Sequence, residues 1–452
     1  MADNERTSMQ AMAEMALAAA KKAGASQAAA QVSQSNFVEA GFRDGSLEKA
    51  SASSKQGLTL RLFVDSRYGV HSTSDLRPQA LEEFVPKAAK LTALLEPDTL
   101  RRLPQPGQYP QPPSPDLEIY DPALGQTEPQ HWVDRAQALD GFANQAAVQA
   151  RQLVSSQGSS YMEVSRELLA TSNGFLGLTE ETGCYHLAGV VLMDSSQPGK
   201  RRSGYWYQGS RNLAGLDGEK AMEVVALEAV RRALRQMGAR PGPTGRATVV
   251  LENLAAGRLM SDLLGALSGP ALRQGRSYLA GKLGSQATAK IFTVEDQPLL
   301  PAGFGSRWFD NEGLAARPFM VIEQGVLRNY YLDTYYARAL EMQPTTGAAS
   351  NLEIKPSQPG GFQEMIKDLE RGLAITGFLG GNFNSTTGDF SYGLTGLWVE
   401  GGQVAHPVEG MNMAGNFADL WQGLSRVGDD HFPYSRLRTP SLRFEDVMLA
   451  GG

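Results

Sequence analysis

The chain has 452 residues and a formal net charge of −6, with 42% hydrophobic and 20% charged residues. This length and balance predict a globular protein of about three domains with a sizeable core. The negative charge argues against broad binding to a nucleic-acid backbone, which requires clustered Lys and Arg. The largest basic run, Lys200-Arg201-Arg202, is too short to change that prediction.

The single cysteine, Cys184, can form neither an internal disulfide nor a multi-thiolate zinc site. The first residues lack the charged and apolar regions of a secretory signal. No apolar run approaches the about 18 residues needed to cross a bilayer. We therefore expect a cytoplasmic protein that contacts neither a membrane nor, directly, nucleic acid.

The N-terminal unit, residues 1–96, is predicted to be an α/β sandwich-like domain with an antiparallel sheet. A run with few helix breakers predicts a helix over residues 7–22. Alternating residues then predict strands on either side of a turn at 43–45 and over 57–64, and a second helix follows over 78–95.

Three further segments complete the predicted α+β organisation. Residues 97–122 predict a linker because they contain eight of the 24 prolines. Residues 123–239 predict a middle α+β domain with a helix over 128–154, a hairpin turn at Asn173-Gly174 and a helix capped by Asp217. Residues 240–452 predict a β-rich C-terminal domain, in which a strand over 247–251 precedes a helix over 253–267.

Several catalytic signatures are absent from the sequence. It contains neither a Walker A run nor a G-x-S-x-G nucleophile elbow. The histidines are scattered, so a zinc site made from them would require convergence in space. They are His71, His131, His186, His406 and His431.

A glycine-rich stretch, residues 384–416, combines Asn, Thr, Ser and Asp with glycines and aromatic residues. Glycines allow close approach of two backbones, which suits recognition of an extended peptide by added main-chain hydrogen bonds. The same composition also suits a core strand of a crowded sheet. Composition alone leaves both interpretations open.

The order and spacing of several motifs resemble the TldD/PmbA family over nearly the whole chain. The C-terminal motifs are Asn384-x-x-Thr387-Gly388-Asp389-Phe390-Ser391-x-Gly393, Gly396-x-Trp398-x-Glu400-x-Gly402, Pro407-Val408 and Ala414-Gly415-Asn416. The N-terminal and middle motifs are Phe42-Arg43-Asp44-Gly45, residues 57–69, residues 172–175 and Glu181-Thr182.

The resemblance implies one of two kinds of subunit. The TldD kind resembles a zinc peptidase with an H-E-x-x-x-H helix, whereas the PmbA or TldE kind lacks that motif and pairs with TldD. With Gly257 as the anchor, Asn253 and Arg258 stand where the histidines would be and Leu254 where the general base would be. A guanidinium is always protonated and cannot ligate zinc, and a leucine cannot deprotonate a metal-bound water.

The resemblance therefore implies a PmbA/TldE-like subunit of a cytoplasmic metallopeptidase complex. This chain would hold no cofactor, the TldD-like partner would supply zinc, and together they would enclose a chamber for proteolysis or maturation of unfolded or extended peptides. The alternative is a homodimeric peptide-binding or maturation factor without peptidase activity. Arg258 is left with three interpretations: a relic position, a carboxylate binder facing the cavity, or one partner of a salt bridge.

The residues expected to line the peptide cavity or contact a partner come from the glycine-rich stretch. Asp389 has the alternative role of a turn residue that binds nearby backbone amides. A further hypothesis is hydrolysis by Ser391 or Thr387 together with Asp389 and His406, which requires mutual hydrogen-bond geometry. The full set of cavity or partner candidates is Asn384, Thr387, Gly388, Asp389, Phe390, Ser391, Gly393 and Asn416.

Overall fold

The computed structural model describes residues 2–111, 115–150, 152–216 and 218–451. These residues form α+β structure with largely antiparallel sheets, which confirms the predicted fold class. Asp217, the predicted helix cap, lies outside the described residues.

A large antiparallel sheet joins the first and middle predicted units. Its strand order is β3-β2-β1-β4-β5-β6. β1 pairs with β4 from Ala29 opposite Thr171 to Arg43 opposite Gln157. The two units therefore share one continuous sheet, whose strands are β1 (Gln27–Arg43), β2 (Ser46–Val64), β3 (Arg67–Thr73), β4 (Leu153–Thr171), β5 (Leu176–Met193) and β6 (Arg201–Ser210).

Four helices within the described ranges cover one face of this sheet. The alternating residues Leu58, Leu60 and Leu62 of β2 are buried beneath the first two helices. Ala188, Val190 and Leu192 of β5 are buried beneath the other two. The helices are α1 (Ala2–Lys22), α2 (Pro78–Thr92), α3 (Pro129–Gln149) and α4 (Glu219–Leu234).

Two glycines allow helices to approach this face closely. A Cβ on Gly158 of β4 would lie 2.3 Å from the backbone nitrogen of Asp140 in α3, and one on Gly204 of β6 would lie 2.2 Å from the carbonyl oxygen of Ala229 in α4. Any side chain at either position would push a helix away from the sheet. α3 ends at Gln149, so the predicted helix over 128–154 is too long at its end, where β4 already begins.

The first part of the Pro-rich segment packs on the opposite face of the sheet, called here the open face. We call its described residues, 97–111 and 115–122, the strap. Leu103, Tyr109 and Leu117 of the strap are buried. The Ile119 carbonyl accepts a hydrogen bond from the Thr182 backbone nitrogen at 2.9 Å, and the Leu117 carbonyl accepts one from Ala302 at 2.7 Å. The strap thus connects the large sheet to the C-terminal unit by packing and hydrogen bonds.

The C-terminal unit contains a sheet closed into a barrel. Its strands have the order β14-β13-β12-β7-β16-β15, and an additional pairing between β14 and β16 closes the ring. β7 pairs parallel with β12 and antiparallel with β16. The strands are β7 (Gly245–Leu251), β12 (Arg371–Phe383), β13 (Asp389–Glu400), β14 (Gln403–Asn416), β15 (Leu424–Val427) and β16 (Leu442–Gly451).

Shorter elements pack around the barrel. A small antiparallel sheet has the order β10-β9-β8-β11 and consists of β8 (Val294–Asp296), β9 (Phe319–Glu323), β10 (Val326–Leu327) and β11 (Leu352–Ile354). The helices are α5 (Asn253–Ala266), α6 (Gly269–Arg273), α7 (Thr334–Ala339), α8 (Phe362–Lys367) and α9 (Phe417–Gln422). Among the described residues, no helix is both long and apolar enough to span a membrane.

Candidate functional site

The corner between β7 and α5 is held to the middle unit by a buried carboxylate. Glu252 accepts hydrogen bonds from Arg232 at 2.9 and 3.1 Å and from Arg235 at 3.0 and 2.9 Å. The guanidinium of Arg232 also lies 4.2 Å from the centroid of the Trp206 ring. Because a buried charge is stable only when it is paired, this cluster fixes the start of α5 against α4 and β6.

The first residue of α5, Asn253, is held on both sides of its amide. Its side-chain nitrogen donates to the Asp430 carbonyl at 2.8 Å, and its side-chain oxygen accepts from the Leu254 backbone nitrogen at 2.7 Å. Its own carbonyl accepts from the Thr439 hydroxyl at 2.7 Å. Asn253 therefore connects α5 to the loop between β15 and β16.

Arg258 lies one turn further along α5 in a polar cluster with the barrel. Its Nε donates to Asp262 Oδ2 at 2.8 Å, and the Tyr392 hydroxyl donates to the same oxygen at 2.7 Å. The guanidinium carbon lies 5.1 Å from the Tyr392 ring centroid. The hydrogen bond to Asp262 raises the pKa of Arg258. The pKa of Tyr392 is raised mainly by burial and further by its hydrogen bond to Asp262. Of the three interpretations of Arg258, the structure supports the salt bridge.

The turn between β12 and β13 and the end of β14 form a closed polar network. We call Asn384, Thr387, Gly388, Asp389 and Asn416 the signature turn. The Thr387 hydroxyl donates to Asp389 at 2.6 Å, and the Asn416 side chain donates to Asp389 at 2.9 Å and to the Thr387 carbonyl at 2.9 Å. The bonds from Thr387 and Asn416 lower the pKa of Asp389.

The signature turn also begins α9. Asn416 is the N-cap of that helix, because its side-chain oxygen accepts from the Ala418 backbone nitrogen at 3.0 Å. Gly388 has a φ of 84°, a conformation that favours glycine. Asn384 is exposed and its side chain accepts from the Thr386 backbone nitrogen at 3.0 Å. These contacts favour the interpretation of Asp389 as a turn residue, while a contribution to a peptide cavity stays a prediction.

The other three candidate residues follow along β13 and differ in exposure. Phe390 is buried in the barrel and stacks on Tyr392 with ring centroids 5.2 Å apart. Ser391 is exposed and Gly393 is half-buried. The structure therefore assigns Phe390 to the core and leaves Ser391 on the surface.

The structure does not assemble the hypothetical hydrolytic triad. Ser391 lies opposite Ala414 on β14, whereas His406 lies opposite Trp398. Eight residues of extended chain separate Ala414 from His406, which corresponds to about 26 Å at roughly 3.3 Å per residue. Because that distance far exceeds a hydrogen bond, the triad hypothesis is wrong.

The open face of the large sheet carries a row of aromatic side chains, Phe37, Tyr161, Tyr185 and Tyr207, which we call the aromatic row. Tyr161 and Tyr185 stack with centroids 4.9 Å apart, and Phe37 lies 5.7 Å from Tyr161. Burial raises the pKa of Tyr185 and Tyr207 to about 12, so both phenols are neutral at physiological pH. The row provides flat, neutral surfaces of the kind that bind peptide side chains.

The C-terminal unit packs onto this row. Phe304 lies 5.8 Å from Tyr185, and Phe432 lies 5.5 Å from Tyr207. Phe432 belongs to the same loop whose Asp430 carbonyl holds Asn253. The loop between β15 and β16 therefore contacts both the beginning of α5 and the aromatic row.

Family models match the chain in three consecutive segments. They describe the PmbA/TldA metallopeptidase domain 1 over residues 28–92, the central domain over residues 123–237 and the C-terminal domain over residues 244–451. The chain belongs to the PmbA/TldD family of metallopeptidases. The predicted resemblance is thereby confirmed, and the matched C-terminal segment contains α5, the signature turn and the barrel.

Individual PmbA/TldD proteins are similar over almost the full chain. Metalloprotease PmbA from Escherichia coli O157:H7 is 29% identical over 439 residues, which cover 96% of this chain and 94% of that protein. A crystal structure of a candidate modulator of DNA gyrase from Bacteroides thetaiotaomicron has a TM-score of 0.93 and 33% identity and covers 98% of this chain and 99% of that one. TldE from Thermococcus kodakarensis has a TM-score of 0.83 at 22% identity, covers 97% and 100% of the two chains, and supports the shared fold alone.

The residues at the implied metal-motif positions do not fit a zinc ion. The Asn253 amide is hydrogen-bonded through both its nitrogen and its oxygen, and the Arg258 guanidinium is paired with Asp262. Leu254 offers only a hydrocarbon, whereas zinc requires His, Cys or carboxylate ligands. Across the described ranges, no three His, Cys, Asp or Glu side chains group closely enough to hold a metal ion.

Two features of the open face were missed by the sequence analysis. The aromatic row comes from four different strands, so no local spacing indicates it. A second feature, a group of arginines at the other end of the open face, includes the adjacent pair Arg101-Arg102. That pair within a Pro-rich segment was the one local signal available.

Proposed function

We propose that this protein is a PmbA/TldE-like subunit that cuts no peptide itself and completes a peptide chamber with a TldD-like metallopeptidase subunit in the cytoplasm. The partner supplies the zinc ion and the general base. This chain supplies one wall of the chamber, and the substrates are unfolded or extended peptides.

The corner between β7 and α5 carries the proposal. Asn253, Leu254 and Arg258 occupy the places that the family resemblance assigns to two metal ligands and a base, and none can perform those roles. Their hydrogen bonds stabilise the corner instead. The peptidase chemistry of the complex must therefore come from a second chain.

Two cavities between the large sheet and the C-terminal unit support the choice of substrate. The aromatic row offers stacking surfaces along the large sheet, and the strap holds the C-terminal unit across the same face. Narrow cavities of this kind admit an extended chain more readily than a folded domain. Extended peptides gain binding energy from aromatic contacts of this kind.

The direct test is co-expression of this chain with a TldD-like chain, followed by zinc analysis and a cleavage assay with an unstructured fluorogenic peptide. We expect a stable complex that contains zinc and cleaves the peptide, with cleavage abolished by a chelator. The isolated chain serves as the control and is expected to contain no zinc and to leave the peptide intact. A compactly folded protein substrate should resist the complex.

Two results would reject the proposal. The first is zinc bound stoichiometrically by the isolated chain, together with chelator-sensitive cleavage. The second is a stable self-associated chain that binds peptide but neither captures a TldD-like chain nor acquires activity with it. The second result would support the homodimeric maturation factor.

A further inference from the structure

A small cavity of about 180 Å³ lies at the end of the open face, where the large sheet, the strap and the loop before α7 meet. We call it the arginine pocket. Ala29 and Phe63 of the sheet and Leu103 of the strap supply an apolar floor. A cavity of this size suits a group of one residue, since pockets for drug-sized ligands are about 300 Å³ or larger.

Arg101 of the strap is held flat between two aromatic rings. Its guanidinium carbon lies 3.4 Å from the Tyr335 ring centroid and 4.8 Å from that of Tyr68. Such stacking fixes the plane of a guanidinium and leaves its N–H edges available. Arg101 forms a loose ion pair with Asp98, in which Arg101 Nε and Asp98 Oδ2 are 3.9 Å apart and therefore beyond hydrogen-bond distance.

The other two arginines that line the pocket form no ion pair with a carboxylate among the described residues. Arg61 donates to the Asn311 carbonyl at 2.6 Å and to the Gln31 side chain at 3.0 Å, both neutral acceptors. Arg102 is exposed, and no described residue accepts a hydrogen bond from its side chain. Thus three guanidiniums surround the pocket, and none is neutralised by a hydrogen-bonded acid.

A fourth arginine fixes the wall of the pocket. Arg338 of α7 donates to the carbonyls of Leu100 and Arg102 at 2.9 Å each and to that of Leu103 at 3.2 Å. Its hydrogen bonds hold the strap. Its charge adds to the positive field, because Arg338 itself forms no ion pair among the described residues. The two charged residues Arg101 and Arg102 are thereby presented on a fixed backbone.

The carboxylates in the pocket are already bound to nearby backbone. Glu312 accepts from the Thr334 backbone nitrogen at 2.7 Å and from its hydroxyl at 2.8 Å. Asp333 accepts from the Tyr336 backbone nitrogen at 2.7 Å as the N-cap of α7. Burial raises the pKa of Glu312 to about 7, so near neutral pH it is only partly charged. The three lining guanidiniums therefore exceed the negative charge of the pocket.

A second cavity of about 200 Å³ continues along the open face. Asn311 lines both cavities, and Arg61 reaches from the first to Gln31 in the second. Leu169 and Phe309 give the second cavity apolar surface. The two cavities together can accept a terminal group and the residue that precedes it.

We propose that the arginine pocket binds the C-terminal carboxylate of an extended peptide, with the preceding residue in the second cavity. The fork of Arg101, with Arg102 and Arg61 beside it, matches a carboxylate, because guanidinium–carboxylate pairs form two parallel charge-assisted hydrogen bonds. That the ligand is a peptide rests on the proposed function, whereas the preference for a carboxylate group follows from the charges of the pocket. The site would orient a peptide in the chamber by its C-terminus.

The test compares two forms of one peptide on the isolated full-length chain. The probe is a hexapeptide of alanine and glycine that ends in leucine and carries an N-terminal fluorescein, prepared with a free C-terminal acid and as the C-terminal amide. Fluorescence anisotropy gives the affinity of each form. We expect the acid to bind at least about ten-fold more tightly, since hydrogen bonds between charged groups are the stronger ones.

Three variants locate the effect. Arg101→Gln is expected to remove the preference for the acid, and Arg102→Gln to reduce it by about two- to five-fold because that side chain is exposed. Arg371→Gln is the matched control, since its guanidinium also lies over an aromatic ring, 5.7 Å from the Trp398 centroid, but on the barrel. Thermal unfolding verifies each variant. If Arg101→Gln fails to fold, the inference is judged from the ratio of acid to amide affinity in the unmodified chain and from its decrease in Arg102→Gln.

The inference is overturned if acid and amide bind alike, or if Arg371→Gln weakens binding as much as Arg101→Gln. Free leucine or inorganic phosphate that displaces the peptide at equal concentration would also overturn it, because a lone anion would then suffice. These outcomes are separate from those of the proposed function. Zinc in the isolated chain would reject the non-catalytic role and leave the acid–amide ratio unchanged.

Discussion

The signature turn and the arginine pocket are both polar clusters at the ends of strands, yet they differ in what their side chains leave unsatisfied. In the signature turn, Thr387, Asp389 and Asn416 are bonded to one another and to backbone. In the arginine pocket, Arg61, Arg101 and Arg102 face a cavity without a hydrogen-bonded acid. The first cluster is complete within the chain, and the second is completed by an anion.

This difference distinguishes a polar cluster that stabilises the fold from one that binds a ligand. A network whose donors and acceptors are all used stabilises a backbone conformation, because breaking it leaves unpaired groups. A group of like charges on a fixed scaffold costs folding energy and is relieved by a ligand of opposite charge. The four predictions below test the comparison and are ordered from the largest expected effect to the smallest.

Glu312→Gln tests the charge balance of the arginine pocket. The pKa of Glu312 is about 7 in the folded protein against an ordinary 4.5. Between these values the folded chain binds more protons than the unfolded chain, so stability falls as pH rises from about 4.5 to 7 by on the order of 3 kcal/mol. We expect urea denaturation at pH 5 and pH 8 to show that the variant lacks this pH-dependent decrease in the free energy of unfolding. Glu323→Gln is the control, because this side chain at the end of β9 is largely accessible to solvent. An unchanged pH dependence of stability in Glu312→Gln would contradict the prediction.

Asn416→Ala tests the signature turn as a stabilising network. The change removes the cap of α9 and the bonds to Thr387 and Asp389. We expect a loss of about 2 kcal/mol in the free energy of unfolding, measured by urea denaturation. Asn384→Ala, which loses one exposed bond, should cost about 0.5 kcal/mol. A marked loss of peptide affinity in Asn416→Ala without a loss of stability would instead place this residue in the binding site.

Gly388→Ala tests the backbone of the same turn. Gly388 has a φ of 84°, and an added Cβ would lie 3.1 Å from the Asn416 side-chain oxygen. We expect a loss of about 1 kcal/mol or slightly more in the free energy of unfolding. Gly265→Ala in α5 is the matched control, because a Cβ there meets no atom within 4 Å. The control should be neutral or stabilising by about 0.5 kcal/mol, and equal losses in both variants would refute the strain argument.

Asp389→Asn is expected to have the smallest effect. The hydrogen bonds from Thr387 and then Asn416 lower the pKa of Asp389 below its ordinary 3.8, so its contribution is present above that pH and is lost as pH falls. Because the carboxylate is fully exposed, solvent screens most of this contribution. Thermal unfolding at pH 7 and pH 3 should show a slightly smaller acid-induced decrease in Tm for the variant. A larger decrease in the variant would reverse the assigned sign.

Local sequence patterns predicted the α+β class because alternation and breaker residues act over a few neighbours. The turn at Asp44-Gly45 and the strand before α5 are examples, since both depend on adjacent residues. Strand lengths were less predictable. β2 was expected to be interrupted near residue 57, whereas it runs unbroken from Ser46 to Val64 because β1 pairs with it throughout.

The glycine-rich stretch shows the same limit within the candidate site. Its motif identified the family, but the motif could not separate Phe390, which is buried in the barrel, from the exposed Ser391. Arg231, Arg232 and Arg235 were similarly predictable as cations near the end of a helix. Only the fold revealed that two of them pair with Glu252, which lies in the next unit.

The sequence by itself determined the class of fold, the family and the absence of histidine at positions 253 and 258, because these depend on residue identity and spacing along the chain. Tertiary structure alone decided that two units share one sheet, that the Pro-rich segment is a packed strap and that β14 closes a barrel with β16. It also brought Arg61 and Arg101 to one cavity with Glu312. The physical reason is that strand pairing and charge convergence join residues far apart in sequence, and no local pattern records which partner each one meets.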